Sequence, residues 1–199
     1  MTVGVWKVEE SHECLRSMFQ DFSIYEEGYA RFTSDKRKVE WLAVRALLKE
    51  LCGEEKSVSY YPSGKPYLTD GSARISFSHT QGYVAVAVHP CKEVAVDIEQ
   101  YGTRVKRVAH KFIRGDEQIP AEPLQEIQAL LLHWSAKETL YKLLDKEGVD
   151  FIRHLQVFPF ELVEEGEFVA CEHLTEQNEC FPVHYHTHPH YVLTYASRP

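Results

Sequence analysis

The sequence predicts an α+β fold, and three observations carry that expectation. Helical and strand-like periodicities fall in separate blocks, without the regular β-α-β alternation that would build a parallel sheet. Two long segments, 34–51 and 124–146, place apolar residues at helical spacing. Between them lie three short runs that read as strands and are separated by turn residues.

The first helix, "SDKRKVEWLAVRALLKEL", opens at Ser34 as N-cap and closes near Gly53, with Trp41, Val44, Leu48 and Leu51 on its core stripe. Arg37, Trp41 and Arg45 follow at i, i+4 and i+8, so the two arginines leave nearly the same face. "YYPSGKPYL" is a turn built on Gly64 and Pro66. "ARISFSHT" and "GYVAVAVHP" then form two strands around Gln81 and Gly82, and "EVAVDIEQ" a third, most simply an antiparallel meander. Residues 104–114, "RVKRVAHKFIR", hold five of the 22 Lys and Arg; on a helix, Arg104, Arg107, Lys111 and Arg114 make one basic stripe. Two readings of that stripe stand open, a solvated face and a docking surface for an acidic partner. The 124–146 helix is apolar round much of its circumference, as a centrally buried helix is. "FVACEH" and "HYVLTYAS" return the chain to strand character.

The 199 residues suit one domain or two small lobes, and a 44% apolar content supplies an ordinary core. A formal net charge of -8 argues against a general nucleic-acid or anionic-membrane binder. No apolar stretch approaches a membrane span, and the N-terminus lacks the basic and apolar regions of a signal peptide, so a cytoplasmic protein is expected. Five scattered cysteines with no CxxC pair read as reduced thiols.

Candidate chemistry begins at residues 93–100. Val94, Val96 and Ile98 alternate with Ala95, Asp97 and Glu99, so the two carboxylates share one strand face. Like charges side by side are costly unless a cation, a positive side chain or a proton neutralises them. On the 124–146 helix, Trp134, Glu138 and Lys142 follow at i, i+4 and i+8. Taken alone, Glu138 and Lys142 form an ordinary i, i+4 ion pair. Taken with Asp97 and Glu99, Glu138 completes an oxygen-rich site of the kind Mg2+ prefers.

"AVDIE" at 95–99 and "WSAKETLYK" at 134–142, about 35 residues apart, resemble the paired signature of the 4'-phosphopantetheinyl transferase superfamily. "YARFTSDKRKVEWLAVRALLKEL", "SGKPYL", "SFSHT" and "KFIRGDE" resemble further segments of its larger members, so the likeness covers roughly residues 25–145. It implies two similar small α+β lobes with antiparallel sheets, 1–90 and 91–199, sufficient as a monomer, with coenzyme A in the cleft. It further implies transfer of the phosphopantetheine arm of coenzyme A to a carrier-protein serine, with Mg2+ as cofactor and 3',5'-ADP released. Asp97 and Glu138 would be metal ligands, and Glu99 a third, direct or through water. Lys142 and His79 would contact the pyrophosphate. Lys65, Ser78, Arg37 and Arg45 would hold the 3'-phosphate and adenine end. Either Glu138 or a water on the metal would take the serine proton. The acidic carrier would dock on Arg104, Arg107, Lys111 and Arg114.

The chain departs from the family pattern at Ala95, where Gly is usual, at Ser76, where Asn is frequent, and at Thr139, where Ala is common. No charged group is lost. "HYHTHPHY" sets His184, His186, His188 and His190 at alternating positions, which a strand would bring to one face; Pro189 interrupts the run. His110 and His133 read as surface or packing residues. Two rival readings use the same residues: a non-catalytic coenzyme A-binding scaffold, and a metal-dependent hydrolase of nucleotide pyrophosphates.

Overall fold

The structure is a computed structural model describing residues 1–198. The chain divides into two compact units at Lys92 and Glu93. Both units mix helices with antiparallel sheet, as the sequence predicts.

The first unit contains β1 (Thr2–Lys7), α1 (His12–Ser17), α2 (Ser23–Ala30), α3 (Asp35–Cys52), β2 (Val58–Tyr60), β3 (Pro66–Leu68), β4 (Arg74–Thr80) and β5 (Tyr83–His89). Its main sheet runs β1-β5-β4, and β2 pairs with β3 in a separate ribbon. Ser34 is the N-cap of α3 in extended conformation, although its side chain makes no capping bond. Gly53 ends the helix with φ +74, a left-handed conformation that glycine adopts at no steric cost. Leu42, Leu47 and Leu48 of α3 share a buried cluster with Ile75, Val84 and Val86 of the sheet. Each such leucine contributes about 2 kcal/mol through burial.

The second unit contains β6 (Glu93–Gln100), α4 (Arg104–Val108), α5 (Pro123–Leu144), β7 (Leu155–Val157), β8 (Glu165–Glu172), β9 (Cys180–Thr187) and β10 (Tyr191–Arg198). Its sheet runs β6-β10-β9-β8-β7, every neighbouring pair antiparallel. Pro123 begins α5, and the Glu122 side chain before it accepts from Gln125 N. Leu132, Ala136, Leu140 and Leu143 of α5 pack into one cluster with Ala95, Phe168, Val183 and Val192 of the sheet.

Three sequence expectations fail here, each for a local reason. The meander stops at β5, because β1 takes that strand's other edge (Trp6 opposite Val84) and β6 pairs with β10 (Asp97 opposite Thr194). The turn between β5 and β6 is fixed by His89 Nδ1, which accepts from Cys91 N at 3.1 Å and Lys92 N at 2.9 Å. The expected basic helix ends after Val108 and tightens into a 3-10 turn over Ala109–Lys111. Phe112 turns fully inward there, and its carbonyl accepts from the Lys137 ammonium instead of continuing a helix. Arg114 therefore leaves the stripe: it donates to Asp116 Oδ1 and to Ile152 O, both at 2.9 Å.

The third failure concerns the cysteines. Cys171 and Cys180 lie directly opposite on β8 and β9 with Cα atoms 4.0 Å apart, and they form a disulfide; Cys14, Cys52 and Cys91 are free. Their separation of nine residues hides a cross-strand pairing that only the hairpin register reveals. The loop they close is independently held by the Glu172 carboxylate, which accepts from Leu174 N, Thr175 N, the Thr175 hydroxyl and Glu179 N. Burial pushes that carboxyl's pKa up, but these bonds outweigh it and bring the pKa below its ordinary value. Reduction, or Cys180→Ser, is expected to lower stability to urea by at most roughly 2–3 kcal/mol and to leave the circular dichroism spectrum intact. Loss of native signal on reduction would show that the disulfide, not Glu172, organises the hairpin.

Candidate active site

On β6, Ala95, Asp97 and Glu99 face α5, whereas Val94, Val96 and Ile98 are buried on the opposite face. The apolar half of the strand thus anchors it, and the acidic half meets the helix. Ala95 lies opposite Ala196 inside the α5 cluster, so its methyl packs in the core.

Hydroxyl groups hold α5 against the sheet. Thr194 of β10 is fully buried, and its Oγ1 lies 2.8 Å from Ser135 Oγ and 2.7 Å from Thr139 Oγ1. Ser135 also donates to Asp97 O. With Ser135 and Thr139 fixed one turn apart, the flank carrying Trp134, Glu138 and Lys142 is turned toward the acidic side of β6. Trp134 Nε1 donates to Glu99 Oε1 at 2.7 Å. Lys142 Nζ donates to Asp97 Oδ1 at 2.7 Å and to Val96 O at 2.9 Å.

Buried carboxylates set the electrostatics of this corner. Burial, then the neighbouring Asp97 charge, pushes the Glu99 carboxyl up to about 7, with Glu138 adding to the rise and Trp134 and Lys142 opposing it. Glu138 is pushed up to about 6 by burial and then by Asp97, against the pull of Lys142. Three carboxylates, two of them costly to ionise, thus converge with Lys142 as the cation that relieves them. Among the described residues, no three His, Cys, Asp or Glu side chains stand in ready-made metal geometry, since Lys142 and Trp134 occupy Asp97 and Glu99 oxygens. The donor set nonetheless fits a hard divalent cation, which prefers carboxylate oxygen and would relieve this repulsion.

Behind α5 lies a pair the sequence reading missed. Lys137, adjacent to Glu138, is fully buried with Glu117; its ammonium lies 2.8 Å from Glu117 Oε1 and also donates to Phe112 O and Phe151 O. Glu117 accepts in turn from Arg114 N and Val157 N, both at 2.8 Å. The available signal was a lysine on a helix apolar round most of its surface, where an unpaired charge is not tolerated.

The remaining predicted residues lie in the first unit. Arg37 Nη1 is 3.3 Å from His79 Nε2, and both approach Glu40 Oε2, at 3.3 and 3.4 Å. Ser78 precedes His79 on β4, so consecutive strand geometry points the two to opposite faces; Ser78 is buried and His79 open. Arg45 is buried, its guanidinium 3.6 Å from the Trp41 ring centroid and donating to Tyr60 Oη at 2.9 Å and Trp41 O at 3.2 Å. Burial pushes its pKa down, and Tyr60 opposes that. Lys65 follows Gly64 in the turn between β2 and β3, where its carbonyl accepts from Tyr61 N.

The C-terminal histidines are spread between strand pairs and a turn. His184 and His186 face Glu167 and Glu165 directly across the β8–β9 ladder, at 3.2 and 3.8 Å, and His188 stacks on Tyr191.

A family model for the 4'-phosphopantetheinyl transferase superfamily matches residues 93–196, more than half of the chain. The chain belongs to that superfamily. No curated protein matches it at a significant level. The matched stretch holds Asp97, Glu99, Glu138 and Lys142, while Arg37, Arg45, Lys65, Ser78 and His79 lie before it. A transferase of phosphopantetheine is the class that this membership supports. No helix among the described residues is long and apolar enough to cross a membrane.

Proposed function

We propose that this chain moves the 4'-phosphopantetheine arm of coenzyme A onto a serine of an acyl or peptidyl carrier protein, as a Mg2+-dependent holo-[carrier protein] synthase. The observation that carries this reading is the convergence of Asp97, Glu99, Glu138 and Lys142 within a superfamily domain. Asp97, Glu99 and Glu138 would hold the ion, which supplies charge neutralisation at the pyrophosphate and the departing phosphate. Lys142 would serve the pyrophosphate, a role the family resemblance also gives to His79. Arg37, Arg45, Lys65 and Ser78 serve the adenine and 3'-phosphate end. The serine oxygen attacks the pantetheine-bearing phosphorus, the bond to the bridging oxygen breaks, and 3',5'-ADP departs with that oxygen. The serine proton needs an acceptor, and Glu138 is the carboxylate that α5 offers.

The test is to incubate the protein with coenzyme A, Mg2+ and an apo carrier protein, then measure the carrier's mass. Phosphopantetheine gain that vanishes with EDTA supports the reading. Coenzyme A binding without mass gain selects a scaffold, and 3',5'-ADP release without carrier selects a pyrophosphate hydrolase.

The acidic carrier would dock on Arg104, Arg107 and Lys111, which remain exposed, and no longer on Arg114. Reversing Arg107 and Lys111 to Glu is expected to raise the carrier KM about tenfold or more, since opposed charges at a rim weaken encounter. The coenzyme A KM should stay level. An unchanged carrier KM would make the patch an ordinary solvated surface. A cytoplasmic setting is part of the same reading.

A further inference from the structure

A cavity in the Glu93-onward unit belongs to none of this chemistry. It offers about 250 Å³ beside α5, partly open to solvent, between the chain following Glu117 and the segment that leads into β8. Its walls include Ile119, Pro120, Phe160 and Leu162, with Gln118 among the lining side chains and exposed. One buried polar side chain, His133, also lines it. His133 is 3% exposed, and its Nδ1 lies 2.8 Å from Ala129 O.

That contact fixes the tautomer. A carbonyl only accepts, so Nδ1 carries the hydrogen and donates it. Burial pushes the His133 pKa down, against the pull of the Ala129 carbonyl, and keeps the ring neutral at pH 7. Nε2 is then a lone-pair acceptor on a buried ring, beside walls that are mostly hydrocarbon. The Phe160 ring lies 5.5 Å away, centroid to centroid. A purely apolar guest would leave Nε2 unsatisfied.

We propose that this cavity binds a small amphipathic molecule: an apolar ring or short chain carrying one hydroxyl or N–H donor, which points at His133 Nε2. Apolar cavities of about 150 Å³ already hold benzene. A ring with one substituent therefore fits the space at His133. The site is separate from the carboxylate corner and makes no use of coenzyme A or carrier.

Phenol is the probe, with toluene and anisole, which lack the donor, as controls. Titrated into the whole chain with 15N-labelled histidine, phenol should shift the His133 Nε2 resonance and bind about fivefold tighter than toluene or anisole, the gain from one net hydrogen bond. His133→Leu should bring phenol down to the affinity of toluene while toluene binding persists. Leu162→Trp, which fills the space from the wall, should weaken all three. Equal binding of phenol and anisole, phenol affinity that survives His133→Leu, or no response up to the solubility of phenol would each overturn the proposal. The comparison among three ligands needs no variant, so a misfolded substitution does not weaken it.

Discussion

Glu138→Gln is expected to lower phosphopantetheine transfer by at least about two orders of magnitude while raising the melting temperature of the metal-free protein. The first half follows from the role given to the carboxylate: even groups that merely orient a metal ligand cost about 10–100-fold when lost, and a ligand costs more. The second follows from the corner itself, where burial and the Asp97 charge make ionised Glu138 unfavourable. A neutral amide of the same shape removes that repulsion, so activity and stability should move in opposite directions. Glu99→Gln should show the same opposition with a smaller loss of rate, because Glu99 already shares its oxygen with Trp134. The readouts are the carrier mass-gain assay and thermal melts in EDTA. A Glu138→Gln enzyme of full activity would remove the metal corner from the mechanism, and a lowered melting temperature would mean that Glu138 supports the fold rather than straining it.

Much of that corner could be read from the chain before any coordinates. The alternation in "EVAVDIEQ" fixes which β6 side chains share a face, and i, i+4, i+8 spacing does the same for Trp134, Glu138 and Lys142. Both are consequences of local backbone geometry, so they survive whatever the rest of the chain does. What could not be read depends on partners distant in sequence. The meander fails because β10, some ninety residues on, outcompetes β5 as the neighbour of β6. Arg114 leaves the basic stripe because a lysine on α5 captures the carbonyl that would have continued the helix. The Cys171–Cys180 bond depends on hairpin register, which spacing alone does not give. Arg45 illustrates the middle case. Its shared face with Trp41 follows from helical spacing, but its burial under Tyr60 required the ribbon of β2 and β3 to be placed.

The Lys137–Glu117 pair sets the second large effect. Neither side chain is exposed, and each also serves backbone groups that have little access to water: Lys137 the carbonyls of Phe112 and Phe151, Glu117 the amides of Arg114 and Val157. The pair therefore ties α5 to the turn that ends the basic segment and to Val157 at the end of β7. Removing one member strands the other's charge in a low-dielectric interior, and the expected cost is about 3–5 kcal/mol. Lys137→Met and Glu117→Gln should each reach that range in urea denaturation, far above the roughly 0–1 kcal/mol of an exposed pair such as Arg31–Glu27. The double variant should lose much less than the sum, because no uncompensated charge remains; the shortfall measures the coupling directly. Additive losses would show that the two residues act independently and that the turn is held by Phe112 packing alone. Since Lys137 precedes Glu138 in the helix, a single loss should also loosen the carboxylate's placement, and transfer should fall in Lys137→Met more than the fraction unfolded accounts for.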